Sequence, residues 1–362
     1  MESGLEGVVA AETVLSDVDG ARGELIVRGF SLDELRTRRF EDVAAMLFAG
    51  FFDDLPDAAG FAEALGAARV RIFAQVSAID YAVLRLPPVE AMRALIARLP
   101  EADDLRGAFD LLAAPAVFAP ALIRRQRGKE PVAPDPKLSH AADILRMLRG
   151  REVQPVEADA LSTYLVTVID HGLNASTFAA RVVASTQAGL TSAVLAALSA
   201  LKGPLHGGAP GPVLDMLDAV GTPENAPAWI EAILNHGERL MGFGHRIYRV
   251  RDPRADALKA AVRTMTTEGA IDPARLKLAE AVETAALVAL KRRKPDRSLD
   301  TNVEFYTALL LEALGFPREA FTAVFAMGRT AGWIAHAREQ AQSGRLIRPQ
   351  SRYIGPRPQQ AA

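Results

Sequence analysis

Through residues 89–99, 158–168 and 276–290, apolar side chains return every three or four positions, the spacing that lines one face of an α-helix. Alanine, leucine, arginine and glutamate dominate these stretches, and all four are good helix formers. The pattern predicts helix almost throughout. The exception is residues 24–29 (ELIVRG), a short extended run behind the turn signal Asp17-Val18-Asp19-Gly20, which predicts a minor hairpin. Residues 161–202 are free of proline and strongly apolar, so they predict two long helices buried on most sides. Such a pair suits the middle of a helical domain or a subunit interface.

Breakers divide the rest: Leu86-Pro87-Pro88, residues 129–136 (KEPVAPDP), Gly203-Pro204, residues 208–212 (GAPGP), Asp252-Pro253 and Lys294-Pro295. None reads as a long linker, and no internal repeat is present. The tail from Arg345 carries Pro349, Pro356 and Pro358 and is expected to be irregular. At 362 residues and 49% hydrophobic content the chain suits one large or two medium domains around a sizeable core.

Charge narrows the partners. Lys and Arg number 42 against 44 Asp and Glu, a formal net charge of −2, so no global field favours nucleic acid or a membrane surface. Any anionic ligand must be held by local arginines. With no cysteine there is no disulfide, thiolate nucleophile, iron–sulfur cluster or cysteine zinc site, which fits a reducing interior. The first residues (MESGLEGVVAAET) lack a basic flank followed by an apolar core, and runs such as residues 193–201 fall short of the roughly 20 residues that span a bilayer. A soluble, cytoplasmic protein is expected.

Three segments carry candidate chemistry: residues 203–208 (GPLHGG), 241–254 (MGFGHRIYRVRDPR) and 301–306 (TNVEFY). Glycine tolerates positive φ and lets backbone crowd a ligand, so His206 and His245 look placed for chemistry. His206 follows a turn where a helix begins, and a helix N-terminus keeps an imidazole neutral and able to donate; a turn histidine bonded to backbone is the plain alternative. Behind His245 stand Arg246, Arg249, Arg251 and Arg254, an anion site if not a solvated basic helix end. Glu304 completes a capping-box pattern from Thr301, a structural role, yet a carboxylate in a first helical turn also stays ionised and can act as a base.

His171 belongs to a polar patch, residues 170–177 (DHGLNAST), that interrupts an apolar pattern and is either a satisfied network or part of a pocket. Arg329, in FAMGRTAGW, lies on an apolar helical segment where an unpaired charge is costly, so it calls for an anion. Arg348 stands before Pro349 in the tail. His140, His236 and His336 have no such neighbours and read as structural, and no pair of histidines has metal-ligand spacing, so no metal is expected.

Together these motifs resemble the citrate synthase family, including its 2-methylcitrate synthase relatives. The likeness runs from Gly4-Leu5-Glu6-Gly7-Val8 and Ser16-Asp17-Val18-Asp19-Gly20, through Asp170-His171, GPLHGG and GFGHRIYR, to NVEFY, FAMGRTAGWIAH and Arg348-Pro349. It implies a mainly α, two-domain helical fold with a minor N-terminal hairpin. Residues 1–210 and 315–362 would form the large domain at a dimer interface, and 211–314 the small domain closing over the site.

The activity implied is a Claisen condensation of oxaloacetate with acetyl-CoA or propionyl-CoA, then thioester hydrolysis to citrate or 2-methylcitrate and CoA. No bound cofactor is implied, the CoA thioester being a co-substrate. Glu304 would take the proton next to the thioester and His206 would donate to the thioester oxygen. His245, with His171, would polarise the keto oxygen. Arg254, Arg329 and, from the other subunit of a homodimer, Arg348 match the carboxylate-binding arginines. Arg249, Arg251 and Lys291, the last in the run KRRKPDR, offer themselves to CoA phosphates, though such runs are commonly solvated. In the best-known members the acid is aspartate. Glutamate moves the carboxylate by about 1.5 Å, and a misplacement of about 1 Å can cost on the order of 10²-fold. A low-activity paralogue that binds oxaloacetate or CoA as a sensor is therefore the alternative. A purely structural scaffold gives no reason for arginines on apolar segments.

Overall fold

In the computed structural model the described residues are 4–5, 7–207, 210–245, 247–297, 299–356 and 358. Glu6, Gly208 and Arg246, which belong to segments named above, lie outside them. Three short strands open the fold: β1 (Ser16–Asp19), β2 (Glu24–Val27) and β3 (Phe30–Ser31). They form one antiparallel sheet in the order β1-β2-β3, with Ser16 opposite Val27 and Ile26 opposite Ser31. The expected hairpin is thus a three-stranded sheet. Asp17 to Asp19 are strand rather than turn, because Asp19 Oδ1 accepts the Ala21 and Arg22 N–H groups and moves the turn past Gly20.

Helices make the rest: α1 (Leu32–Leu35), α2 (Phe40–Phe48), α3 (Ala58–Phe73), α4 (Tyr81–Leu84), α5 (Pro88–Ile96), α6 (Leu105–Gln126), α7 (His140–Arg149) and α8 (Pro155–Thr167). Then follow α9 (Ala175–Ala184), α10 (Leu190–Leu201), α11 (Pro210–Val220), α12 (Ala226–Asn235), α13 (Pro253–Thr267), α14 (Pro273–Arg293), α15 (Val303–Ala313) and α16 (Phe321–Ser343). Several of the expected breakers open helices instead. Pro88 and Pro253 sit at first helical positions, where a missing N–H costs nothing. Short polar side chains cap the starts: Asp57 for α3, Asp104 for α6, Ser139 for α7 and Asp272 for α14.

Residues 161–202 hold the end of α8 and the whole of α9 and α10, three helices where two were expected. The polar patch is the reason. Gly172 takes φ +59 and Asn174 caps α9, so residues 168–174 leave the helix, and Gly189 at φ +96 breaks it again.

The core is continuous, and α6 and α16 run through its middle. One expectation needs correcting here. At 22 residues α6 is long and apolar enough to cross a bilayer, and 83% of its most apolar window is buried inside the protein. The helix continues through Asp110, Pro115 and Pro120 and packs against α3, α5, α7 and α16. The described residues beyond Ser343 are irregular, as expected of the tail.

Candidate active site

Loops from distant parts of the chain meet around one cavity of about 1140 Å³. They are the segment after α8 with His171, the turn after α10 with His206, the glycine loop after α12 with His245, and the start of α15 with Glu304. Arg254 and Arg329 also line it. The volume exceeds the roughly 300–1,000 Å³ of an ordinary ligand pocket.

Two glycines knit His245 to Glu304. Gly242 and Gly244 take φ +83 and +79, and a side chain at position 242 would strike Phe305 at 2.9 Å. In these conformations Gly244 N donates to Asp300 O (2.8 Å), Asn302 N to Gly242 O (2.9 Å) and Asn302 Nδ2 to Gly244 O (2.8 Å). The loop therefore lies antiparallel to residues 300–302, immediately before Glu304. Its other flank rests on the small sheet: Arg249 N donates to Gly20 O (2.7 Å), and a side chain at position 20 would meet Ile247 O at 2.3 Å.

Asn302, not Thr301, caps α15, with Oδ1 accepting the Glu304 N–H at 3.0 Å. Glu304 is thus at the second helical position and the capping box does not form. Thr301 instead donates its hydroxyl to Glu283 at 2.7 Å, a carboxylate that also accepts from Tyr306 (2.6 Å) and Lys259 (2.6 Å). Among the described residues no donor occupies the Glu304 carboxylate. Burial lifts its pKa above the ordinary range, Arg254 and Arg239 pull it down, and Asp252 pushes it up.

His245 has a defined tautomer. Its Nδ1 accepts the backbone N–H groups of Ile247 (3.0 Å) and Tyr248 (3.1 Å), so the proton of the neutral ring resides on Nε2. Burial, reinforced by Arg254, holds its pKa down to about 4. The Arg254 NH2 group lies 3.2 Å from Nε2. Both nitrogens carry hydrogen, so they are two donors side by side rather than a bonded pair, and a single oxygen can receive both. His171 is buried and neutral, its Nε2 3.1 Å from the Tyr248 hydroxyl and its ring 6.0 Å from that of His245.

His206 is neutral for a different reason from the expected one. It sits in a turn ahead of α11, and burial, then Arg329, lowers its pKa to about 4. Its Nε2 is 2.8 Å from Ser176 Oγ, which also accepts Trp333 Nε1–H (3.1 Å) and lies 2.8 Å from Asn174 Oδ1. Trp333 can only donate, so the serine hydroxyl has one proton for two acceptors. Given to Asn174, it requires Nε2–H on His206; given to His206, it leaves Nδ1–H.

Arg329 is the buried cation without a counter-ion. It is 1% exposed, its Nε donates to Val168 O (2.6 Å), and among the described residues no carboxylate lies within ion-pair distance. Burial brings its pKa down to about 10, so it stays charged at neutral pH. Arg254 differs, because Asp252 grips its Nε (3.0 Å) and NH2 (2.9 Å). Neutral ring donors, two cations and an available carboxylate facing one cavity suit anionic substrates and the stabilisation of charge that develops on oxygen.

The chain matches the family model described as citrate synthase, C-terminal domain, over residues 4–350. It belongs to the citrate synthase family. The citrate synthase of Haloferax volcanii is 36% identical over 372 residues, covering 98% of this chain and 96% of the relative. The crystal structure of citrate synthase from Pyrobaculum aerophilum superposes with a TM-score of 0.86 at 33% identity, covering 99% of this chain and 93% of that one. A ternary complex of carboxymethyl coenzyme A and oxaloacetate with citrate synthase from the archaeon Thermoplasma acidophilum gives 0.84 at 27% identity, covering 99% and 97%. The all-α fold is that of the family, and the protein is a transferase of the citrate synthase class.

Six of the ten residues singled out in the sequence line the cavity: His171, His206, His245, Arg254, Glu304 and Arg329. Arg249 joins them at the exposed rim. Three do not. Arg251 is turned to Asp256 (2.5 Å) and Glu283 (3.2 Å), Lys291 is exposed on the last turns of α14 away from the lining, and Arg348 is exposed in the tail. Besides Arg249, the basic groups at the rim are Arg239, Lys294 and Arg297. Sequence reasoning also passed over Asp252, Ser176 and Trp333. Only Ser176, in the polar patch, carried a local signal.

Proposed function

We propose that this protein condenses oxaloacetate with acetyl-CoA or propionyl-CoA and hydrolyses the resulting thioester, releasing citrate or 2-methylcitrate and CoA. The observation that carries the reading is Arg329, a buried charge with no carboxylate at ion-pair distance among the described residues, in the same cavity as the paired donors His245 Nε2–H and Arg254 NH2. A keto dicarboxylate satisfies all three. One carboxylate meets Arg329 and the other the free edge of Arg254, while the keto oxygen takes the His245 proton. The ternary complex of the Thermoplasma relative, holding oxaloacetate and a CoA derivative, supports the pairing of substrates.

Glu304, with its carboxylate unengaged, takes a proton from the carbon next to the thioester. That carbon acid is too weak to ionise unaided, so the enolate oxygen needs a donor. His206 serves when Ser176 gives its proton to Nε2, leaving Nδ1–H for the thioester oxygen. The enol carbon then attacks the keto carbon polarised by His245, and water cleaves the thioester. His171 holds the Tyr248 ring beside His245 rather than donating itself. Residues 211–314 act as the closing lobe that keeps water out until the adduct forms. Arg239, Arg249, Lys294 and Arg297 at the rim receive the CoA phosphates. The protein works as a homodimer, and the exposure of Arg348 away from its own cavity supports its reaching a partner's.

Free CoA release by the purified protein tests the reading. Oxaloacetate-dependent release from either thioester is expected, and the ratio of kcat/KM values assigns the acyl chain. No release from either removes it. The extra methylene of Glu304 favours a second reading, a sensor that binds oxaloacetate with little turnover. Tight binding without condensation, restored by Glu304→Asp, is its signature.

A further inference from the structure

Asp252 is 1% exposed and accepts four hydrogen bonds with one carboxylate. Its Oδ1 takes the Arg254 backbone N–H (3.0 Å) and Arg254 Nε (3.0 Å), and its Oδ2 takes Arg254 NH2 (2.9 Å) and the Val303 N–H (3.1 Å). The Arg254 N–H belongs to the first turn of α13, and Pro253 before it has none to offer. The Val303 N–H is the first of α15, one residue before Glu304 and left over by Asn302, which caps Glu304 itself. One side chain therefore caps two helices, the first bearing an arginine of the cavity and the second its available carboxylate.

We propose that Asp252 is a positioning residue that couples the two substrates' sites: it aims the Arg254 guanidinium at the cavity, fixes the first turn beneath Glu304, and shares its charge between them. This rests on the condensation reading above. In the free protein Asp252 neutralises Arg254, which restrains the hold on the first substrate. It also stands beside Glu304 as a like charge, which keeps the carboxylate basic. A substrate carboxylate arriving on Arg254 adds negative charge at the same corner, so binding of the keto acid strengthens the base before the thioester is engaged.

The charged groups acting on Glu304 are Arg254 and Asp252 at the start of α13 and Arg239 after α12. His206, His245 and Arg329 face the same cavity, as does the phenol of Tyr164 on α8. The acids of α11, Asp215 and Asp218, are turned outward to Arg318.

Asp252→Asn keeps the shape and one accepting oxygen but removes the charge. Expected are oxaloacetate affinity by calorimetry equal to or tighter than wild type, a kcat at least about tenfold lower, and an acid limb of kcat/KM for the thioester displaced by about half a pH unit or more to lower pH. A merely structural residue would lower melting temperature and activity without moving that limb. An unmoved limb, or oxaloacetate affinity lost in step with kcat, overturns the proposal. If Asp252→Asn does not fold, Asp252→Glu carries the test. With the charge kept but displaced, kcat should drop while the limb stays, and a kcat within twofold of wild type or a shifted limb overturns it. Wild type run alongside separates the two readings: no CoA release from wild type removes the condensation, whereas normal release with an unmoved limb in D252N removes only the coupling.

Discussion

Replacing Arg329 with methionine removes the buried charge while keeping most of the apolar stem. In the free protein that charge costs stability. Burial drags the guanidinium from its ordinary value down to about 10, and at about 1.36 kcal/mol per tenfold the charged form is disfavoured by about 3 kcal/mol. Because the folded value lies below the unfolded one, the penalty is present in full below about pH 10 and fades only as pH climbs from there towards the ordinary guanidinium value. At pH 7 it is undiminished. Loss of the Nε bond to Val168 O (2.6 Å) and of the stacking on Phe325 (5.0 Å) offsets part of the relief, by about 1–2 kcal/mol. The variant without ligand should therefore be about 1–2 kcal/mol more stable than wild type, a rise of a few degrees at most in Tm.

Substrate reverses the order. Truncating one member of a buried charge pair costs about 3–5 kcal/mol, so oxaloacetate should bind on the order of 10²- to 10³-fold more weakly. Thermal melts of both proteins with and without oxaloacetate, and calorimetry for Kd, read the two signs separately. Wild type should gain Tm on adding ligand and R329M should not. A variant that melts well below free wild type yet keeps its affinity for oxaloacetate refutes the reasoning, since the arginine would then be a strut of the core.

Glu304→Gln should abolish CoA release while leaving oxaloacetate binding by calorimetry intact; retained turnover would remove Glu304 as the base. In wild type, activity should fall as pH drops through the Glu304 value, which burial has raised, so the acid limb lies above the ordinary 4.5, and a limb at or below that value counts against the assignment. His245→Ala should lower kcat/KM by about 10²- to 10³-fold with little change in circular dichroism; a few-fold loss speaks against the paired-donor geometry. Ser176→Ala should lower kcat more than it raises either KM, because the His206 tautomer is no longer held, and an unchanged kcat would detach Ser176 from the chemistry. His206 and His245 both refuse protons down to about 4. The unfolded chain takes them up from about 6.5, so stability should decline as pH falls between those values, and a melting temperature that is flat over this window contradicts their burial.

What the sequence made legible was whatever a few adjacent residues decide. Periodic apolar stripes gave the helices, proline-bearing breakers marked boundaries between them, and glycine beside histidine marked the loops that reach the cavity. Reading failed where the deciding partner is far along the chain. Thr301 looked like a cap because the pattern with Glu304 is local, yet its hydroxyl goes to Glu283, eighteen residues back. Arg251 looked free for a phosphate until the same Glu283 and Asp256 claimed it. The link from Trp333 through Ser176 to His206 spans 157 positions at one step and 30 at the next, so no window of sequence contains it. Asp252 is the most instructive case. On paper it is half of a breaker, Asp252-Pro253, and only the approach of Val303, 51 residues on, turns it into a junction between two helices. Burial then does what spacing cannot: with one carboxylate committed to Arg254 and, among the described residues, none to Arg329, the two arginines stop being equivalent. Arg254 is held by a resident acid, whereas Arg329 donates to a backbone carbonyl alone, and it is on this asymmetry that the proposed anion site rests.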